Sequence, residues 1–217
     1  NLEMPYDRST DTLGSPFQRN FDFVYVASLG HSGGTAEQTF RGIQLFKTPQ
    51  LIRDLHPGES VVSATFHAPL SYSSTSFPIA MPGVSASHVD LTQGISNNGA
   101  GIVDADHSSS VLTDLGMLVP ATPGVASGGT YSIDVTAALA GALSSTDIWF
   151  PIRLQMAHAT EPKTYDANVN MDYLFGHANG QNGGNPWIEY TVTPEPATML
   201  LLGSGALALI RRRNRKA

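Results

Sequence analysis

The chain lacks cysteine and is poor in charge. With no cysteine among 217 residues, disulfides, thiolate metal sites and cysteine nucleophiles are excluded. Charged side chains make up 14% of the sequence, whereas an average soluble protein has about 25%. The net charge is −6, and phosphate binding depends on clustered Lys and Arg. We therefore expect no nucleic-acid partner.

Strand patterns dominate the region before residue 194. In the stretch 61–72, Ala64 and Phe66 alternate with Thr65 and His67, as in a strand with one core side and one solvent side. The sequence predicts about eight short strands, at 21–29, 40–46, 61–72, 110–119, 130–135, 148–158, 171–175 and 187–192. With 21 Gly and 14 Pro available for turns, the predicted class is all-β, an antiparallel, jelly-roll-like β-sandwich.

The other segments of this region are a helix and a loop. The segment 136–143 (TAALAGAL) predicts one short helix, with Asp134 or Thr136 near its start. Residues 73–107 are rich in Ser, Gly, Pro and Asn, which predicts long loops with one weak strand at 88–91. We therefore divide the chain into a sandwich domain, 1–193, and a tail, 194–217.

The tail consists of three blocks. Pro194, Glu195 and Pro196 precede an uncharged run over 197–210, which as a helix is roughly 21 Å long, against about 30 Å for a bilayer core. The apolar residues that define this predicted helix are Ala197, Leu200, Leu201, Leu202, Leu207, Leu209 and Ile210. The basic block that follows is Arg211, Arg212, Arg213, Arg215 and Lys216. A core helix of a soluble domain needs no such block, and the positive-inside rule keeps it in the cytoplasm.

The order of the three blocks resembles the PEP-CTERM sorting signal, also called the ice-binding protein C-terminal domain. The resemblance covers about 24 residues at the end of the chain. It implies an exported protein of a Gram-negative exopolysaccharide producer, with exosortase, a membrane protease, as its partner. The apolar helix would be a transient inner-membrane anchor that exosortase removes; a permanently retained anchor is the alternative.

The body resembles DNRLRE-type extracellular sandwich domains. The similarity lies in the strand 40–46 (FRGIQLF), the strand 60–66 (SVVSATF), the segment 131–139 (YSIDVTAAL) and the closing 185–190 (NPWIEY). The Trp that usually follows the Asp-Val-Thr helix is missing, and the 73–107 loop is long. The resemblance implies a binding or structural role, and some relatives bind acidic polysaccharides.

The sequence predicts no metal site and no cofactor. Its seven histidines include no His-x-His or His-x-x-x-His pair, so we interpret them as surface residues. The loop with Asp104 and Asp106 offers alternating carboxylates, and an Asx-rich turn is favoured there over bound calcium.

Enzyme motifs are also missing. The chain has no Gly-x-Ser-x-Gly, and sequence spacing does not place two of Asp134, Asp172 and Glu189 at the separation that glycosidases need. By alternation, Trp149 and Trp187 lie on the outer sides of their strands, where an indole can stack on a sugar. Pro151, Arg153 and Gln155 are predicted to point outward beside Trp149.

Three functions remain open. We favour an exported, non-enzymatic module of the cell surface or exopolysaccharide matrix that binds polysaccharide. An extracellular lyase or glycosidase with an unrecognised site is the alternative, and an adhesion protein with no soluble ligand is the third. The chain begins at Asn1, so we expect a processed form or a missing start.

Overall fold

A computed structural model describes residues 2–7, 12–13, 17–18, 24–30, 36–48, 55, 59–75, 81–91, 110–122, 128–145, 149–157, 170–176 and 184–193. Within these ranges the predicted all-β class is confirmed. Twelve strands are described: β1 (Leu2–Asp7), β2 (Thr12–Leu13), β3 (Phe17–Gln18), β4 (Val24–Gly30), β5 (Ala36–Lys47), β6 (Val61–Thr75), β7 (Val84–Val89), β8 (Val111–Val119), β9 (Gly129–Asp134), β10 (Trp149–Met156), β11 (Asn170–Phe175) and β12 (Trp187–Val192). One described helix, α1 (Thr136–Ser144), lies between β9 and β10.

The first sheet is built around the long strand β6. His67 pairs with both Trp187 of β12 and Ser132 of β9, so β12 and β9 lie on opposite edges of β6. Leu70 likewise pairs with both Phe175 of β11 and Gly129 of β9, so β11 continues along the edge that β12 occupies. Beyond β11 the sheet continues through β4, β5 and β1. All these pairings are antiparallel.

The second sheet consists of β5, β10, β7 and β8, paired antiparallel in that order. Strand β5 belongs to both sheets, because its first half pairs with β4 and β1 and its second half with β10. A strand that passes from one sheet to the other is a common corner of β-sandwiches.

The core is a single hydrophobic cluster with residues from both sheets and α1. Its largest fully buried side chains are Tyr173, Phe66, Phe150, Phe175, Met81, Leu139, Ile152 and Leu154. Phe46 of the second sheet meets Phe66 of the first edge to face, with ring centroids 6.0 Å apart. Full burial of one large apolar side chain contributes about 1.5–3 kcal/mol to folding. Contact between the sheets is therefore a main source of stability.

Helix α1 is fixed to β6 at its first residue. The Ala64 N–H donates to Thr136 Oγ1 at 2.8 Å, and the Val135 N–H donates to the Ala64 carbonyl at 2.9 Å. Asp134 Oδ1 accepts hydrogen bonds from the Thr136 N–H at 2.8 Å and from the Thr136 hydroxyl at 2.6 Å. Asp134 and Thr136 thus both lie at the start of α1, as predicted, and the N-cap residue between them is Val135.

Four predictions about the strands need correction. The weak strand predicted at 88–91 is β7 at Val84–Val89, and β6 runs on to Thr75 inside the predicted loop. Pro151 and Arg153 do not lie on a solvent face, because Arg153 pairs with Ile43 and Ser87 and all three are buried. His88 is not a surface histidine: it pairs with Ile152 on the core side, and its ring lies 4.7 Å from that of Phe150.

Candidate functional site

The outer face of the first sheet carries a set of exposed and half-buried side chains around Trp187. Strand alternation turns Ile188 and Tyr190 of β12 toward the core and leaves the residues between them on the outer face. The registers of β12 and β9 against β6 then align three strands of outward residues. We call this set the Trp187 face; it consists of Ser63, Thr65, His67, Ser132, Asp134, Trp187, Glu189 and Thr191.

Trp187 is exposed and held in a fixed orientation. Its relative exposure is 41%, high for a large apolar side chain. The ring of His67, its cross-strand partner, stacks on it with centroids 4.8 Å apart and 17° between the planes. His67 therefore covers one face of the indole, while 41% of the Trp187 surface stays accessible to a ligand. A held aromatic ring of this kind is suited to stacking against the apolar face of a sugar.

Hydroxyl groups form cross-strand contacts from β6 to β9 and from β6 to β12 on this face. Ser132 Oγ lies 2.7 Å from His67 Nδ1, and Ser63 Oγ lies 2.5 Å from Thr191 Oγ1. His67 Nε2 is 3.4 Å from Glu189 Oε2, an ion pair when the imidazole is protonated. These contacts orient the polar groups around Trp187 before any ligand arrives.

Two carboxylates flank Thr65 on the same face. Thr65 pairs with Glu189 on one edge of β6 and with Asp134 on the other, so their Cα atoms are roughly 10 Å apart, two strand spacings. The two hydrogen bonds from Thr136, the side-chain bond being the stronger cause, lower the pKa of Asp134. Asp134 therefore stays ionised in mildly acidic solution.

The surroundings of the two carboxylates bear on the glycosidase alternative. A glycosidase needs one carboxyl group with a raised pKa to act as the general acid. The pKa of Asp134 is lowered instead, and the Glu189 side chain is 75% exposed on an open strand face. Asp134 and Glu189 thus come onto one face, as the sequence alone does not reveal, and Asp134 has the environment of an ionised carboxylate rather than that of a general acid.

Trp149 lies on the other sheet and in different surroundings. It is half-buried at the start of β10 and pairs with Lys47 of β5. The Lys47 ammonium lies 5.3 Å from the centroid of its ring, a cation–π contact. Trp149 and Trp187 therefore do not form one binding site, and the ring of Trp149 already has a charged neighbour.

The remaining predicted site residues lie outside the described ranges. They are the sorting motif 194–196, the apolar residues of 197–210, the basic residues of 211–216, and Asp104 and Asp106. In the part of the chain that the structure describes, no helix is long and apolar enough to cross a membrane. The described residues also contain no group of three or more His, Asp or Glu able to hold a metal ion.

The sequence alone placed Trp187 on the outer side of its strand but did not show which residues surround it. The alternation of β6 already placed Ser63, Thr65 and His67 on one outer side. Only the registers, which depend on contacts more than 60 residues apart, show that Trp187 stands opposite His67 and that Ser132 joins them. What the sequence did not reveal is which strands pair with β6 and in which register.

Comparison with known proteins identifies the tail. The PEP-CTERM protein-sorting motif matches residues 192–216, which agrees with the resemblance seen in the three blocks. The chain thus carries the signal of an exported protein that is sorted through exosortase, a membrane protein. No curated protein matches the chain, and the resemblance of the body to DNRLRE-type domains stays a prediction.

Proposed function

We propose that the protein is a non-catalytic module of the cell surface or exopolysaccharide matrix of a Gram-negative bacterium. In this proposal it binds an extracellular polysaccharide through the Trp187 face. The observation that carries the proposal is the exposed indole of Trp187, stacked on His67 and surrounded by serine and threonine hydroxyls on a sheet. Sugars are bound through stacking on aromatic rings and through hydrogen bonds of this kind. The sorting motif supports delivery to the outside of the cell.

Replacing Trp187 tests the binding face. We expect Trp187→Ala to weaken binding to polysaccharide from the producing cell at least about fivefold, since a stacked aromatic contributes about 1 kcal/mol. Affinity is measured by titration calorimetry on the full chain in mild detergent. Met117→Ala, which removes another exposed apolar side chain, from β8 on the other sheet, is the matched control and should bind like the wild type.

The same measurements separate this function from the adhesion alternative. If the wild-type protein binds no polysaccharide, or if Trp187→Ala binds as well as Met117→Ala, the proposed binding face is wrong. An adhesion protein would show no glycan affinity, and its deletion would instead change the cohesion of the biofilm.

The second candidate is an extracellular enzyme that acts on the same polymer. One observation favours it: the His67 imidazole lies between a hydroxyl and a carboxylate. Ser132 Oγ is 2.7 Å from its Nδ1 atom, and Glu189 Oε2 is 3.4 Å from its Nε2 atom. Hydrolases use such a chain to activate a nucleophile. Release of reducing ends, unsaturated sugars or acetate by the wild type, and its loss in Ser132→Ala, would establish an enzyme. We expect no turnover.

A further inference from the structure

The Trp187 face carries two carboxylates, and its strands contain no Lys or Arg; His67 is the titratable base on this face. Strands β6, β9 and β12 and helix α1 contain no Lys or Arg. The described basic residues, Arg41, Lys47 and Arg153, lie on β5 and β10. Glu189 and Asp134 therefore set the sign of the local potential, which attracts cations and repels anions.

Glu189 is placed to act together with the indole. It lies two residues after Trp187 on the same side of β12, so their Cα atoms are roughly 7 Å apart. Its side chain is 75% exposed and therefore open to a ligand. A cation beside Trp187 would meet both the electron-rich face of the ring and the carboxylate.

We propose that the Trp187 face selects polysaccharides whose sugars carry free amino groups. The inference rests on the proposed polysaccharide binding and names its ligand class. The sugar ring stacks on the part of Trp187 that stays accessible, and the protonated amine of the same or the next sugar pairs with Glu189. Asp134 adds to the attraction from the far edge of β6. A neutral sugar keeps only the stacking, and a uronate is repelled.

Trp149, the second tryptophan, shows the same pairing of an indole ring with a cation within the chain. Lys47 holds its ammonium group 5.3 Å from the ring centroid of Trp149. At Trp187 the protein supplies the carboxylate and no ammonium of its own on the same strands. The Trp187 face is thus complementary to a ligand that brings the positive charge.

The test compares three oligosaccharides of equal length. They are a β-1,4-linked glucosamine oligomer, its fully N-acetylated form and an oligogalacturonate, each titrated into the full chain in mild detergent at a pH where the sugar amine is protonated. We expect the amino form to bind up to about fivefold more tightly than the acetylated form, the upper end of the range for an exposed ion pair. That preference should shrink with added salt, and the uronate should not bind.

Single-residue variants separate charge from stacking. Glu189→Gln should abolish the preference for the amino form, so that the amino and acetylated forms bind with similar affinity. Asp90→Asn removes a carboxylate next to β7 on the other sheet and should keep the preference. Trp187→Ala should weaken both forms.

The possible failures are distinguishable. Equal binding of the amino and acetylated forms, or a preference that survives in Glu189→Gln, overturns the selectivity and leaves the binding face standing. Tighter binding of the uronate also overturns the selectivity. If none of the three oligosaccharides binds, the selectivity and the proposed function both fail.

Discussion

Asp134 shows how one residue serves both the fold and the site. Its Oδ1 atom accepts two hydrogen bonds from Thr136 and fixes the start of α1, while the carboxylate remains on the Trp187 face. Those hydrogen bonds favour the charged form, so the pKa of Asp134 is lowered in the folded chain. The stabilisation is therefore complete above the pKa of the unfolded chain and is lost as pH falls through the folded value.

Replacing Asp134 should destabilise the protein at neutral pH but not in strong acid. We expect Asp134→Ala to lower the free energy of unfolding by about 0.5–1 kcal/mol at pH 7, a typical net value for a lost hydrogen bond. The difference from wild type should begin to shrink near the ordinary aspartate pKa of about 3.9 and should vanish only below the lowered pKa of the folded chain. Thermal melts followed by circular dichroism across this range measure it.

Asp134→Asn is the control, because it keeps an acceptor for Thr136 without a titrating charge. Its loss of stability should be smaller and nearly independent of pH above 4. An equal loss in Asp134→Ala at neutral and strongly acidic pH would show that the carboxylate charge plays no part.

The two tryptophans show how far a site can be predicted from single residues. Strand alternation correctly placed Trp187 on an exposed outer face. It placed Trp149 on the outer side of its own strand too, but that residue is half-buried beside Lys47 rather than exposed. Alternation reveals the side of a strand but not what the neighbouring strands bring to that side, and this decides whether a ring is free.

At the scale of elements, the sequence predicted strands with strong alternation and missed the rest. Strands β4, β5, β6, β8, β9, β10, β11 and β12 and helix α1 lie close to or overlap their predicted ranges. Strands β2 and β3 have two residues each, too few to show a period, and Pro5 weakens the strand signal of β1. The strand predicted at 88–91 begins earlier, as β7, because Ser85 and Ser87 resemble loop residues, although β8 and β10 pair with β7 on both edges.

The entry into β7 depends on a glycine. Gly83 has φ of +83°, and a Cβ at this position would lie 2.4 Å from the Val119 carbonyl oxygen. We expect Gly83→Ala to destabilise the protein by about 2 kcal/mol or more, through backbone strain and this clash at the junction of β7 and β8. Chemical denaturation gives the free energy.

Gly141 provides a control of opposite sign. It lies in α1, and a Cβ added there meets no atom within 4 Å. Gly141→Ala should stabilise the chain by about 0.5–1 kcal/mol, because alanine loses less backbone entropy in a helix. If both variants lowered stability equally, the special role of Gly83 would be wrong.

At the scale of the whole molecule, charge divides the chain into two parts. Residues 194–217 contain five of the 12 Lys and Arg and one of the 18 Asp and Glu. The preceding residues hold seven basic and 17 acidic side chains, a net charge of −10. The net negative charge thus repels anionic polysaccharides, in agreement with the acidic Trp187 face. The exposed Lys47 is one local exception.

Removal of the sorting signal should therefore change both mass and charge. We expect the protein recovered from the producing cell to end near Pro194, without the block Arg211 to Lys216, because exosortase sorting is expected to release the tail from the membrane. Intact-mass measurement locates the end, and anion-exchange chromatography should elute the processed form later than the full chain, since the formal charge falls from −6 to −10. A strain lacking exosortase is the control and should keep the full tail. Recovery of the basic block on mature protein from normal cells would instead indicate a permanently retained anchor.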